Sequence, residues 1–205
     1  MTTRETLIAA ALTVLEQEGS AHFSTRAVCA IANVTAPTLY HHFGNADGLL
    51  SAAVEEAFRQ FLDAKLDAAD ASTDPETALR DGWDDYVRFA ADRPLIYAAM
   101  MARLFQGVEI VAARQAFAIV GEQISALEAA GRLRLPADEA AHLAWASVNS
   151  AAMLHVTAAL HVSQYLGAPE PSVIDFLRER AIRDLCEPTG ETERVPSHPR
   201  ALPSP

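Results

Sequence analysis

Positive charge is scarce in this chain. Its 205 residues hold 16 Lys and Arg against 27 Asp and Glu, a formal net charge of −11. That balance excludes a generic polyanion binder, because phosphate affinity is built from basic side chains. Cysteine is scarcer still: Cys29 and Cys186 lie far apart and match no metal or redox spacing, which fits a reducing cytosol. No apolar run is long enough to cross a bilayer. The stretch 7–15 is apolar, but Glu16 and Glu18 follow it and no small-residue cleavage site appears, so it does not read as a secretory signal. A soluble, cytoplasmic protein without membrane contact is expected. Phosphate-cradling glycine loops, a Gly-x-Ser-x-Gly elbow and paired-carboxylate sites are also missing, so neither catalysis nor a cofactor is expected. Glu139 and His142 have the Glu-x-x-His spacing of helical metal sites, but only once, and no metal site is expected.

What is abundant is helix signal. Half the residues are apolar, and they recur at spacings of three and four with no β-branched alternation long enough for a strand. The punctuation predicts helices over about 3–18, 25–32, 36–42, 46–69, 75–92, 94–105, 108–130, 137–165 and 171–186. The fold class is therefore all-α, with about nine helices. Residues 187–205 hold five prolines and no apolar periodicity, and read as a disordered Pro-rich tail.

The segment "TAPTLYHHFG", residues 35–44, is nearly uncharged yet gathers Thr, Tyr and His. Two short helices joined at Asn33, with a longer helix in front, make a helix-turn-helix whose second helix suits a DNA major groove. Asn33 is a residue that tolerates the left-handed turn. Leu39 and Phe43 are expected inward with Val28 and Leu12, leaving the Thr35 and Thr38 hydroxyls, Tyr40 and His41 outward. Spacing alone leaves open whether Tyr40 and His42 contact DNA or simply cap the small core.

The run "TRAVCAIANVTAPTLYHHFGNADGLL", residues 25–50, resembles the DNA-binding signature of the TetR family of bacterial transcriptional regulators. The matching positions are Thr25, Cys29, Asn33-Val34-Thr35, Leu39-Tyr40-His41-His42-Phe43 and Leu49-Leu50. The resemblance implies a helix-turn-helix DNA-binding domain at 1–48 and a helical ligand-binding and dimerisation domain at 49–186. It also implies phosphate contacts from Thr25, Thr35 and Tyr40 with His41 beside them, and base edges facing Arg26, Ala36, Pro37 and Thr38. Arg26 alone in that set is able to make a bidentate contact to guanine. Two departures stand out: Asn33 replaces a common Gly, and Ala46 replaces a common Lys, removing one phosphate contact. Residues 1–50 carry only Arg4 and Arg26 against Glu5, Glu16, Glu18 and Asp47. The resemblance implies a homodimer on a double-stranded DNA operator, acting as a repressor released by a small-molecule effector. The alternative is a helical ligand-binding dimer with weak or lost operator binding.

Aromatic and Met residues cluster on the middle helices. Tyr86, Tyr97, Met101, Phe117, Trp145 and Met153 are read as the wall of an apolar effector site, with Asn149 as its polar anchor. Trp145 and Asn149 lie one helical turn apart, and Ala152 and Val156 continue their face. The last two helices are expected to form the dimer seam, the final one through Val173, Ile174, Leu177, Ile182 and Leu185.

Overall fold

The computed structural model describes residues 1–68, 74–162 and 167–187. Among these residues the secondary structure is helical: α1 (Thr3–Glu18), α2 (Thr25–Ala32), α3 (Ala36–Phe43), α4 (Ala46–Ala68), α5 (Pro75–Asp92), α6 (Pro94–Phe105), α7 (Val111–Ala129), α8 (Ala137–Ala159) and α9 (Pro171–Leu185). A single 3₁₀ turn at Ser20–His22 follows α1.

Local chemistry sets the first four boundaries. Thr2 and Glu5 form a reciprocal capping box at the start of α1, with Glu5 Oε2 accepting from the Thr2 N–H at 2.8 Å. Ser24 Oγ caps α2 by accepting from the Ala27 N–H at 3.4 Å. Asn33 then closes α2 in the left-handed region, φ 53° and ψ 47°, as its residue type predicts. Thr35 occupies the N-cap position of α3, but its hydroxyl pairs with that of Thr38 at 2.9 Å instead of capping. Asn45 Oδ1 accepts from the Gly48 N–H at 2.7 Å and opens α4.

Two boundaries differ from the sequence pattern. Helix α7 begins at Val111, not 108, because Gly107 at φ 75° and the Val108 N–H bonded to the Arg103 carbonyl complete the end of α6. The new start is secured from afar: Glu55 Oε1 of α4 accepts from the Ala112 N–H at 2.9 Å. Helix α8 stops at Ala159, where His161 adopts φ 52° and the Val162 N–H returns to the Thr157 carbonyl at 3.0 Å. Of the tail expected at 187–205, all but Glu187 lies outside the described residues. Glu187 itself is tied down, its N–H donating to the Arg132 carbonyl at 2.7 Å beside an antiparallel Leu133–Cys186 bridge.

The main core runs without interruption from the headpiece into the body. Leu7, Leu12, Val28, Leu39 and Leu49 join Phe58, Ile96, Tyr97, Ala152 and Val156 in one buried cluster. The sequence-derived boundary at 48/49 falls inside α4, and that cluster crosses it. A smaller cluster packs Leu79, Ile124, Leu127, Ile182 and Leu185 between α5, α7 and α9.

The expected α9 seam needs correction. Ile182 and Leu185 are buried within the chain, and Ile174 and Leu177 pack on Trp83, Val87 and Ala151. Val173 and Phe176 face outward, 45% and 66% exposed. The helix carries two neighbouring apolar stripes, and the more regular one belongs to this chain's own core.

Gly48 yields a stability test. A Cβ built there would overlap the backbone carbonyl oxygen of Phe43, which cannot swing aside. Gly48→Ala is expected to destabilise by about 1–3 kcal/mol, against the usual helix preference for Ala. Urea midpoints equal to or above wild type would contradict this packing.

Candidate DNA-binding surface and ligand cavity

Within the headpiece, α1 and α4 hold the short α2 and α3 against a core of fully buried Leu39 and Val28. Phe43 is half-buried beneath Arg4, whose guanidinium carbon lies 5.3 Å from the ring centroid. Of the residues expected to meet DNA, Arg26, Thr35, Ala36, Pro37, Tyr40 and His41 are exposed, and Thr25 and Thr38 are half-buried. Tyr40 is 45% exposed and His42 is also exposed, so neither serves as a cap on the core. The first turn of α3, with its free backbone N–H groups, stands at one end of this surface.

A cavity of about 420 Å³ lies between α4, α5, α6, α7, α8 and α9, open to solvent on the side where Phe117 and Trp145 are each 47% exposed. Of the residues expected at an effector site, Tyr86, Phe117, Trp145 and Asn149 line it. Tyr97, Met101 and Met153 do not. Tyr97 is fully buried behind the wall, Met101 belongs to the core shared with the headpiece, and Met153 is 40% exposed to solvent. Phe58 and Phe61 of α4, outside the expected set, also line the cavity. Phe58, Phe61 and Leu62 fall at spacings of three and one, a helical stripe that was available to find them. Phe58 meets the Tyr86 ring edge-on at 6.3 Å, and Tyr86 meets Tyr97 edge-on at 5.9 Å.

One polar corner interrupts this apolar wall. Asn149 Oδ1 accepts from the Tyr97 hydroxyl at 2.8 Å and from the Tyr86 hydroxyl at 3.2 Å, and Asn149 Nδ2 donates to the Trp145 carbonyl at 2.8 Å. Trp83 Nε1 is spent on Ser147 Oγ at 3.2 Å. Glu109 and Arg114 are the ionised residues of the lining, and they pair with each other. Among the described residues no group of three or more His, Cys, Asp or Glu converges as a metal site would require. None of the described helices is long and apolar enough to cross a membrane.

Residues 7–53 match the family model described as "Bacterial regulatory proteins, tetR family". The headpiece thus carries the family's DNA-binding domain, and the fold of the whole chain resembles that of solved TetR-family regulators. A TetR transcription regulator from Haloarcula marismortui superposes with a TM-score of 0.66 at 15% identity, covering 90% of this chain and 98% of that one. A TetR-family transcriptional regulator from Haemophilus influenzae gives 0.61 at 20% identity, with 90% and 97% covered. A Rhodococcus protein of unknown function gives 0.71 at 21%, with 91% and 97% covered. At such identities the likeness is one of fold. No curated protein sequence matches the chain significantly.

Behind this TetR-type headpiece, α6 joins the two sites. Arg93 at its N-terminal end donates through Nε to Glu16 of α1 at 2.9 Å. Arg103, in its last turn and only 5% exposed, pairs with Asp47 Oδ1 at 2.6 Å and donates to the Asp47 carbonyl at 2.9 Å. Between those ends, Met100 and Leu104 line the cavity. Two of the headpiece's four carboxylates are thus matched by arginines of the body.

The tyrosines supply a pH test. Burial pushes the Tyr86 hydroxyl well above the ordinary phenol range, and the neighbouring Tyr97 hydroxyl adds to the shift. Burial raises Tyr97 as well. Above a pH of about 10 the unfolded chain's phenols ionise first. The native state then binds more protons than the unfolded state, so stability is full below that pH and falls as pH rises through it. Urea midpoints should drop along this alkaline limb, and Tyr86→Phe should flatten the drop. An identical slope in the variant would mean that Tyr86 is free to ionise in the folded chain.

Proposed function

We propose that the chain is a homodimeric TetR-type repressor that occupies a palindromic operator until a small, mainly apolar effector enters the body cavity. The observation that carries this reading is the pairing of an exposed helix-turn-helix face with an aromatic cavity, joined through α6. An effector shifts DNA affinity only by binding the competent and incompetent forms unequally. A ligand pressing on Met100 and Leu104 would bear on the helix that holds Glu16 and Asp47 through its two arginines. Recognition helices of a dimer must stand about 34–36 Å apart to enter successive major grooves, so a small tilt breaks register.

On the DNA face, Thr25, Thr35, Tyr40 and His41 take phosphate contacts, and Arg26, Ala36, Pro37 and Thr38 face base edges. A gel-shift titration on the DNA flanking its own gene, at low and moderate salt, tests this reading. Arg26→Ala should relax base preference at one position of each half-site, whereas Tyr40→Phe should weaken all sequences about equally. Equal, sequence-independent losses for both variants would remove Arg26 from base readout. The second reading, a ligand-binding dimer with weak operator affinity, is favoured by two basic side chains against four acidic ones in residues 1–50. Absence of a shifted band even at low salt would select it.

The dimer seam falls on α8 and α9. Val173 and Phe176 are its outward apolar residues on α9. Phe176→Glu should yield monomers in sedimentation with the fold intact, because the side chain has little to lose within its own subunit. Leu177→Glu should instead unfold the body, since Leu177 packs against Trp83, Val87 and Ala151. A Phe176→Glu protein that sediments as a dimer would place the seam elsewhere.

A further inference from the structure

We infer that the cavity selects an uncharged ligand whose polar group is a hydrogen-bond acceptor, such as a ketone or ester oxygen, received by Asn149 Nδ2. This rests on the effector reading above and adds the ligand's charge and hydrogen-bonding sense.

The sense follows from an inventory of the polar corner. The Trp145 carbonyl can only accept, so the Asn149 atom 2.8 Å from it is the amide nitrogen. The other terminal atom is therefore the oxygen, and both tyrosine hydroxyls within reach must donate to it. Two donors fill its two lone-pair positions. Both phenolic hydrogens are then committed, and one hydrogen of Asn149 Nδ2 is left without a partner among the described residues. The corner thus offers a ligand an amide N–H, with phenol lone pairs beside it.

Charge selection follows from the rest of the lining. Glu109 and Arg114 pair with each other, and their side chains are 63% and 68% exposed, so they stand at the rim in solvent. The inner wall is Phe58, Phe61, Trp83, Tyr86 and aliphatic side chains. An ionised ligand group placed there loses its hydration and meets no counter-charge. A carboxylate would also find the phenol hydrogens already engaged by Asn149.

Both tryptophans of the chain, Trp83 and Trp145, line the cavity, so intrinsic fluorescence reports on it directly. Four non-fluorescent probes of one skeleton separate the possibilities: adamantyl methyl ketone, ethyladamantane, adamantane carboxylate and adamantylethylammonium. The full-length protein should bind the ketone about three- to tenfold more tightly than the hydrocarbon, the worth of one net hydrogen bond. Carboxylate and ammonium should bind at least about 100-fold more weakly than the ketone. Asn149→Leu should erase the ketone's advantage while the hydrocarbon keeps its affinity. That variant also strands the buried Tyr97 hydroxyl, so the wild-type series is decisive without it. A ketone no better than the hydrocarbon, or a charged probe within about tenfold of the ketone, overturns the inference and leaves the effector site standing. Fluorescence unmoved by all four probes overturns the inference together with the effector reading.

Discussion

Arg103 is the constraint on which the two halves of the molecule depend. Its guanidinium is buried at the end of α6, and Asp47 meets it twice, by carboxylate and by main-chain carbonyl. A buried charge must be matched where it lies, and Asp47 is in the first turn of α4, immediately beyond the recognition helix. Arg93 makes a more exposed pair with Glu16 at the other end of α6. The exposed pair contributes little alone, whereas the buried one fixes position, because parting it leaves an uncompensated charge. Helix α6 is thereby fixed across α1 and α4 at both ends, while its middle, through Met100 and Leu104, forms cavity wall.

The cavity reflects a related tension. A helix-rich body with this many aromatic rings could close completely, yet an open volume remains between α4 and the five helices that follow it. At its polar corner the Asn149 amide holds two tyrosine rings by their hydroxyls, with one ring set edge-on to the face of the other. Hydrogen bonds of this kind specify geometry more than they add stability. Burial raises both phenols above their ordinary range, and that sets an alkaline limit on the fold.

Much of this was legible in the sequence, and what was not depended on contacts distant along the chain. Helices α1 to α6 follow their caps and breakers closely, and Asn33 adopts the left-handed geometry that its position demanded. The start of α7 was misplaced because its stabilising group, Glu55, lies 57 residues away. The end of α8 was misplaced because His161 takes a left-handed conformation usually given to Gly. Periodicity found the apolar residues of α9 but could not say which of two adjacent stripes faces the chain's own core. Leu177 proved internal and Phe176 external. In the cavity, residue type and spacing picked out Tyr86, Phe117, Trp145 and Asn149. Met101 and Met153 shared their composition but point elsewhere in the packing.

The headpiece charge count changes meaning once the body is in place. Read alone, residues 1–50 set Arg4 and Arg26 against Glu5, Glu16, Glu18 and Asp47, a poor match for DNA. In the folded chain, Arg93 and Arg103 neutralise Glu16 and Asp47, so two arginines face two remaining carboxylates. The electrostatic fitness of the DNA-binding surface is therefore a property of the whole chain, conferred through α6. A displacement of α6 that parts these pairs would do more than tilt a recognition helix. It would return two bare carboxylates to a surface with few cations, and DNA phosphates would be repelled by the same movement that spoils the spacing. Geometry and charge act in one direction because a single helix carries both.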